Sequence, residues 1–199
     1  MSQPPPIMKP DRLSAFTDGV IAIIITIMVL ELKVPQGDDW AAVRPALPLF
    51  GAYALSFVNV GIFWVNHHHM FHLAKRVDGR VLLANLFLLF WLSLVPFVIR
   101  WIGEADISPM PVAAYGAILT MASLGYLLIE RALIAAEPGK SALDVALGSK
   151  KKELFSFLLY LVAVPMAFVS VWVSVGLYAF VALIWFVPDR RVERSLPDG

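Results

Sequence analysis

The chain alternates between long apolar runs and short segments that carry most of its charged residues. Four runs contain no Asp, Glu, Lys or Arg: residues 46–66, 81–99, 107–129 and 154–188. The first apolar run, residues 13–34, includes Asp18 and Glu31. A transmembrane helix needs about 20 mostly apolar residues, so each run is long enough to cross a bilayer.

The last run is too long for one crossing. A helix over residues 154–188 would be about 52 Å long at about 1.5 Å per residue, far more than a hydrocarbon core of about 30 Å. We therefore expect two short spans joined by a tight turn in the small-residue stretch 170–176. The pattern predicts six transmembrane helices, with approximate bounds 12–34, 46–68, 81–101, 107–131, 153–170 and 174–188.

Composition supports an all-α integral membrane protein. Of the 199 residues, 59% are hydrophobic and only 16% are charged, whereas about 25% are charged in soluble domains. The net charge of +1 does not suggest a nucleic-acid partner, and we expect membrane lipids to surround the chain. The absence of cysteine excludes disulfides, thiolate metal sites and cysteine nucleophiles.

Basic residues are concentrated on one side of the predicted spans. If the N-terminus is inside, thirteen of the 16 Lys and Arg residues flank the inner ends of the helices. The positive-inside rule then places both termini in the cytoplasm, in a multi-pass protein of the cell's inner (plasma) membrane. We expect residues 1–10 to be a disordered cytoplasmic tail, 11–189 one six-helix membrane domain, and 190–199 a cytoplasmic C-terminal tail.

The first predicted helix carries an apolar stripe and one carboxylate. Asp11 can cap its start and Pro35 ends it. At about 100° per residue, one face is predicted to hold Phe16, Gly19, Ile23, Thr26, Ile27, Leu30 and Val34. Asp18 lies on roughly the opposite side, near the cytoplasmic end, where a carboxylate needs a hydrogen-bonding partner. We expect that partner to come from residues 64–69, at the inner end of the second helix.

Three motifs along the first half of the chain resemble one family. Arg12 is followed at the proper spacing by Phe16, Thr17 and Asp18 and then by an isoleucine-rich helix, with Thr17 in place of the usual serine. The second motif is Trp-Val-Asn-His-His at 64–68, and the third runs from Asn85 to Pro96. In this order they resemble the transmembrane protein 175 family of lysosomal and bacterial potassium channels.

The resemblance implies a function and an assembly. Bacterial members of that family are single six-helix repeats that form homotetramers, whose first helices line a central pore. Carried onto this sequence, the narrow rings are Ile23 and Leu30, with the Thr26 hydroxyl between them and with Gly19 and Ile27 as lesser pore-lining residues. The expected activity is passive conduction of permeant K⁺ and other monovalent cations, without catalysis and without a cofactor.

The same residues allow plainer interpretations. An apolar stripe with one threonine also occurs on any packed transmembrane helix, and Thr26 can hydrogen-bond back to the preceding turn. Glu31 is either a cation-attracting group at the outer mouth or an interfacial residue paired with a neighbouring basic group. From the pattern alone, the pore interpretation is one of several, and the resemblance favours it.

Four histidines, His67, His68, His69 and His72, invite a metal interpretation. Adjacent helical residues point about 100° apart, so the triplet cannot converge on one ion. His68 and His72 can share a face, but two histidines are only part of a metal site, so we expect none. We expect instead a hydrogen-bonded network that joins Asn66, His67 or His68 to Asp18 and Arg12 and, with Phe16 and Thr17, holds the pore helix in place.

Two other functions compete with a channel. A membrane enzyme would need a nucleophile–base pair or a complete ligand set, and neither occurs at sensible spacing. A proton-coupled transporter could use Asp18 and the residues of 67–72 as a relay. Such transporters usually show repeated halves and broken helices at corresponding positions, which this sequence lacks.

Overall fold

The computed structural model describes residues 8–137 and 151–186, and within these ranges it is helical and has no strand. A single isolated bridge joins Met8 to Val77. A short 3₁₀ turn, Arg44–Ala46, lies between the second and third helices. The α-helices are α1 Pro10–Leu30, α2 Trp40–Val43, α3 Leu47–Leu73, α4 Gly79–Ser93, α5 Val95–Glu104, α6 Pro109–Ala136, α7 Lys151–Met166 and α8 Val171–Phe186.

Four helical segments in the described ranges are long and apolar enough to cross a membrane. They are Pro10–Leu30, Trp40–Leu73, Gly79–Glu104 and Pro109–Ala136. The last apolar run forms two helices of 16 residues each, α7 and α8. Their turn lies at 167–170, earlier than the predicted 170–176, and Gly176 is inside α8. The turn closes where Ser170 N–H donates to the carbonyl of Met166 at 2.8 Å.

The ends of α1 differ from the sequence prediction. The helix begins at Pro10 with Lys9 at the N-cap, so Asp11 lies in the first turn and is not the cap. It ends at Leu30, four residues before the predicted end, because Glu31 and Leu32 donate to carbonyls only three residues back. Pro35 is consistent with an end in this region, because a proline lacks the N–H that would bond the Glu31 carbonyl and its ring clashes with that carbonyl. Residues 1–7 and 187–199, most of the predicted tails, lie outside the described residues.

The third predicted span is bent into two helices. The break falls at Leu94, between α4 and α5, two residues before Pro96. Proline has no N–H to donate to the carbonyl four residues earlier, and this loss breaks the helical ladder. Pro165 lies instead inside α7, one residue before that helix ends at Met166.

Helix α6 is the centre of the bundle and is buried along most of its length. It packs against α4, α5, α7 and α8. Two glycines on α6 make the close approaches possible: a Cβ on Gly125 would lie 3.0 Å from the Leu88 Cα of α4, and one on Gly116 would overlap the Tyr178 hydroxyl of α8. Small residues at such crossings are typical of membrane helix packing. Helix α1 lies at the edge of this bundle, against α3, α4 and α5.

Replacement of Gly116 with alanine is expected to lower the free energy of unfolding by about 1–3 kcal/mol, the usual range for an overpacked core. The added methyl would displace the Tyr178 hydroxyl, which donates to the Val112 carbonyl at 3.1 Å. Thermal unfolding in detergent would measure the loss. Gly61→Ala is the control, because in the described residues no atom from another part of the fold lies within 4 Å of the added Cβ. Equal stability of the two variants would contradict this packing.

A buried polar cluster joins four helices of the bundle. The Tyr160 hydroxyl of α7 donates to Oδ1 of Asn59 on α3 at 3.0 Å, and Asn59 Nδ2 donates to the Tyr115 hydroxyl of α6 at 3.4 Å. The Tyr178 ring of α8 contacts both other tyrosine rings, with centroids 5.4 Å and 6.3 Å apart. Since lipid offers no hydrogen bonds, these polar groups must find partners inside the protein, and they hold the helices together.

Candidate functional site

Helix α1 presents two distinct faces. The face toward its own bundle is buried and is spaced at helical intervals: Leu13, Thr17, Ile21, Ile24 and Met28. The predicted pore residues lie on the other side. Ile23 is 58% exposed and Leu30 79% exposed, and Gly19, Thr26 and Ile27 are also exposed. The single chain therefore covers one side of α1 and leaves the candidate pore stripe uncovered.

The hydroxyl of Thr26 bonds to its own helix. Its Oγ1 donates to the Ile23 carbonyl at 2.9 Å, which is the back-bonded arrangement that the sequence left open. The donated proton engages only one side of the hydroxyl, and the two acceptor lone pairs of the oxygen remain. An exposed Thr26 oxygen in this arrangement can still contact a cation or a water molecule.

Three buried side chains, linked by hydrogen bonds, join the buried face of α1 to α3 and α4. Asn85 Nδ2 donates to Thr17 Oγ1 at 2.9 Å, and Asn85 Oδ1 lies 2.9 Å from His67 Nε2. All three residues are fully buried. Because an amide oxygen only accepts, His67 Nε2 carries the proton of this bond. The His67 ring also stacks on Phe71 of its own helix, with centroids 4.2 Å apart.

Asp18 has a separate partner. Its Oδ1 accepts a 2.8 Å hydrogen bond from the indole N–H of Trp64 on α3. Asp18 is half-buried and Trp64 is partly exposed, so this bond lies at the margin of the bundle. The partner lies in the C-terminal half of α3, within the residues 64–69 that the sequence suggested, but it is the tryptophan and not a histidine.

The structure connects these residues differently from the predicted network. Arg12 is exposed, and among the residues that the structure describes it forms no ion pair. Phe16 is exposed as well. The side-chain amide of Asn66 donates to the Ile62 carbonyl of its own helix at 2.7 Å. His68 is exposed and stacks on His72, so neither Asn66 nor His68 reaches Asp18 through the bonds that are present.

Sequence reasoning missed the side chain that joins the network. In the sequence, Asn85 is only the first residue of a motif, yet in the structure it bonds both Thr17 and His67. The available signal was a lone amide in an otherwise apolar predicted span, since polar residues inside a membrane are expensive and need partners. His67 Nδ1 is buried and, within residues 8–137 and 151–186, has no hydrogen-bond partner.

The described histidines do not gather into a metal centre. His68 and His72 lie one turn apart with ring centroids at 6.4 Å, and His69 meets His68 edge to face at 5.9 Å. In the described part of the chain, no three His, Cys, Asp or Glu side chains are grouped closely enough to bind a metal ion. Of these four histidines, His67 is buried and hydrogen-bonded, whereas the rings of His68, His69 and His72 are more exposed.

The C-terminal end of α1 lies beside α5. Lys33 donates to the Gly103 carbonyl at 3.5 Å, and Arg100 pairs with Glu104 at 3.0 Å on the surface of α5. Within the described ranges, Glu31 has no basic side chain within ion-pair distance. The interfacial interpretation of Glu31 therefore requires a basic group from a neighbour.

Comparisons with known proteins agree on one family of ion channels. Residues 12–96 match the family described as "Endosomal/lysosomal potassium channel TMEM175". The chain is 49% identical over 192 residues to a potassium channel of Chryseobacterium sp. strain P1-3, covering 96% of this chain and 100% of that one. It is 37% identical over 96 residues to the human "Endosomal/lysosomal proton channel TMEM175", which is 42% of this chain and 19% of the human protein.

A solved structure shares the fold. The crystal structure of a lysosomal potassium-selective channel TMEM175 homolog from Chamaesiphon minutus superimposes with a TM-score of 0.71 and 31% sequence identity, and covers 94% of this chain and 98% of that chain. The full-length match to a bacterial relative and the shared fold lead to the same conclusion. This chain belongs to the TMEM175 family of ion channels.

Proposed function

We propose that this protein is a potassium-permeable cation channel that conducts passively in the cell's inner membrane. Its bacterial relatives in Chryseobacterium and Chamaesiphon are named potassium channels, and the fold is that of a potassium-selective family member. We propose further that four copies assemble as a homotetramer, with both termini cytoplasmic and with the α1 helices around a shared axis. No cofactor is needed for this activity; the permeant ion is K⁺.

One observation carries this proposal. Ile23, Thr26 and Leu30 are exposed on α1, while the buried side of the same helix packs into the subunit. One side of α1 packs into the subunit and the other side is apolar, so this other side must be covered to keep it from water. Lipid can supply that cover, and so can other copies of α1 about a symmetry axis, since one helix per subunit can line a shared passage only in a cyclic assembly.

The chemistry of this stripe suits a monovalent cation. Rings of Ile23 and Leu30 form two hydrophobic constrictions, which conduct only when wetted. An ion that passes must shed part of its hydration shell. K⁺ is larger than Na⁺ and holds its water less tightly, so K⁺ passes at lower energetic cost. The Thr26 oxygen, between the two rings, offers an acceptor in place of the lost water, because its own proton is bonded to the Ile23 carbonyl.

The buried chain of Thr17, Asn85 and His67 acts in this proposal as an anchor. It fixes the rotation of α1 by bonds on the side away from the stripe. Asp18 and Trp64 add a second bond one residue further along. A narrow ring works only if all copies of α1 keep the same rotation, so these bonds hold Ile23 and Leu30 in register without contact to the ion.

The relay of a proton-coupled transporter is not favoured. It would require Asp18 to communicate with the histidines, but Asp18 bonds Trp64 whereas His67 bonds Asn85. In the described part of the chain, the rings of His68 and His72 pack on each other and on their helical neighbours Trp64 and His69. The relatives are ion channels, and no catalytic activity is indicated for this chain.

Assembly and passive flux test the proposal together. Native mass spectrometry in mild detergent is expected to give a mass of four chains of 22.0 kDa each. Proteoliposomes are expected to pass K⁺ when only a voltage is imposed, with no counter-ion gradient. Empty liposomes are the control. A stable monomer would remove the shared pore, and K⁺ flux that depended on an opposing proton gradient would make the protein an exchanger instead.

A further inference from the structure

An apolar cavity of about 410 Å³ lies between α3, α5, α6 and α8, away from α1. Leu55, Ile99, Val112 and Val175 are among its lining residues, one from each helix, and no charged side chain in the described residues lines it. Trp172 also lines it and is 69% exposed, so the cavity reaches the surface of the subunit. Its volume is within the range of about 300–1,000 Å³ that is typical of ligand pockets.

The few polar side chains in the cavity are already engaged. Ser56 Oγ donates to the Ala52 carbonyl at 2.8 Å, and the Tyr178 hydroxyl donates to the Val112 carbonyl at 3.1 Å. The Tyr115 hydroxyl accepts from the Asn59 amide at 3.4 Å. The cavity therefore offers hydrocarbon and ring surfaces to an occupant. Water is disfavoured in such a space because it needs several polar partners.

A second, wider space adjoins the cavity. This outer recess has a volume of about 880 Å³ and shares Leu47, Pro48, Ile102 and Ile107 with the cavity. It lies where α1 ends and where α3 and α6 begin, which is the predicted outer side of the membrane. The two spaces together run from the bundle interior to the membrane surface.

The outer recess is lined by one charge of each sign. Lys33 and Asp106 are its only charged lining residues in the described part of the chain. They form no ion pair with each other, since the described ion pair is Arg100–Glu104. The recess can therefore match a group that carries an anion and a cation, as the phosphate and ammonium of a zwitterionic lipid headgroup do.

From these observations, we infer that the apolar cavity and the outer recess together hold one membrane phospholipid per subunit, with an acyl chain in the cavity and a zwitterionic headgroup between Lys33 and Asp106. An acyl chain fills the cavity with the apolar contacts that a void of this size would forfeit. This site is separate from the proposed pore and does not depend on ion conduction.

Native mass spectrometry of the delipidated protein tests the acyl-chain site. Palmitoyl-oleoyl phosphatidylethanolamine is titrated into wild type, Val175→Phe and Val173→Phe. Val175 lines the cavity, whereas Val173 is on the same helix and 45% exposed outside it. We expect Val175→Phe to bind this lipid at least about tenfold more weakly, and Val173→Phe to bind within about twofold of wild type. Equal binding by all three proteins would overturn the inference.

The headgroup is tested with a substitution that leaves the core intact. Asp106 is exposed and has a φ of 54°, a conformation that asparagine also tolerates. Wild type is expected to prefer phosphatidylethanolamine to phosphatidylglycerol of the same chains by about fivefold, and Asp106→Asn to lose that preference. No preference in wild type would overturn the headgroup assignment. Absence of bound lipid, together with loss of self-association in Val175→Phe, would assign the cavity to a second copy of the chain.

Discussion

Replacement of Ile23 with asparagine is expected to raise the single-channel conductance about fivefold and to bring the K⁺/Na⁺ permeability ratio close to one. The amide replaces one apolar ring with a wetted, hydrogen-bonding ring, so the ion keeps more of its hydration shell at this point. A barrier lower by about 1 kcal/mol corresponds to about fivefold faster passage. Since Ile23 is 58% exposed on the single chain, the substitution leaves the subunit core unchanged.

Recordings from planar bilayers under symmetric and bi-ionic K⁺ and Na⁺ solutions measure both quantities. Val29→Asn is the matched control, because Val29 is also an exposed β-branched residue of α1 but points about 120° away from Ile23 around the helix. It is expected to conduct like wild type. Ile23→Leu, which keeps an apolar ring, is expected to keep the selectivity. If Ile23→Asn and wild type gave identical currents, the constriction would have to lie elsewhere, and the alignment of α1 in the proposed pore would be wrong.

Replacement of Asn85 with leucine is expected to lower the free energy of unfolding by about 2–6 kcal/mol. The amide is the one side chain in the described ranges that bonds both Thr17 and His67, so its removal leaves two buried polar groups without this partner. Each such group costs about 1–3 kcal/mol. In a protein of this size the midpoint of thermal unfolding should fall by about 4–24 °C.

Thermal unfolding in detergent, followed by the fluorescence of the native tryptophans, measures this shift. Asn66→Leu provides the matched control, because the Asn66 side chain is half-buried and donates only to a carbonyl of its own helix. The control is expected to lose about 1 kcal/mol or less. If both variants lost similar stability, the hydrogen bonds that join Thr17, Asn85 and His67 would contribute no more than an ordinary intrahelical bond.

The order and approximate extent of the helices could be predicted from apolar run length alone. The prediction was less accurate at breaks, because local geometry sets them: α1 ends early at Leu30, the third segment bends at Leu94, and the last turn falls at 167–170. Each of these lies two to five residues from a proline, at 35, 96 or 165. Proline indicated that a break would occur but not the residue at which the hydrogen-bonding ladder changes.

The side of α1 that the single chain leaves exposed was predictable, but the hydrogen-bond partners of its buried side were not. Helical periodicity grouped Ile23, Thr26 and Leu30 on one side of α1, and the structure leaves that side exposed. The sequence could not choose between His67 and His68 as the buried histidine, because the rotation of α3 against α4 decides it. It also could not find the pairing of Asn85 with Thr17, residues 68 positions apart in the chain.

The sequence by itself determined that this protein is a helical membrane protein with an uncharged face on its first helix, because hydropathy adds up along each segment and the bilayer requires about 20 apolar residues per crossing. Only the tertiary structure decided three features: the buried face of α1 is held by Thr17, Asn85 and His67, Asp18 bonds Trp64, and an apolar cavity of about 410 Å³ lies between α3, α5, α6 and α8. Those features depend on the rotation and approach of helices that are distant in sequence. Periodicity constrains which residues share a face, but the packing of small residues such as Gly116 and Gly125 sets which faces meet.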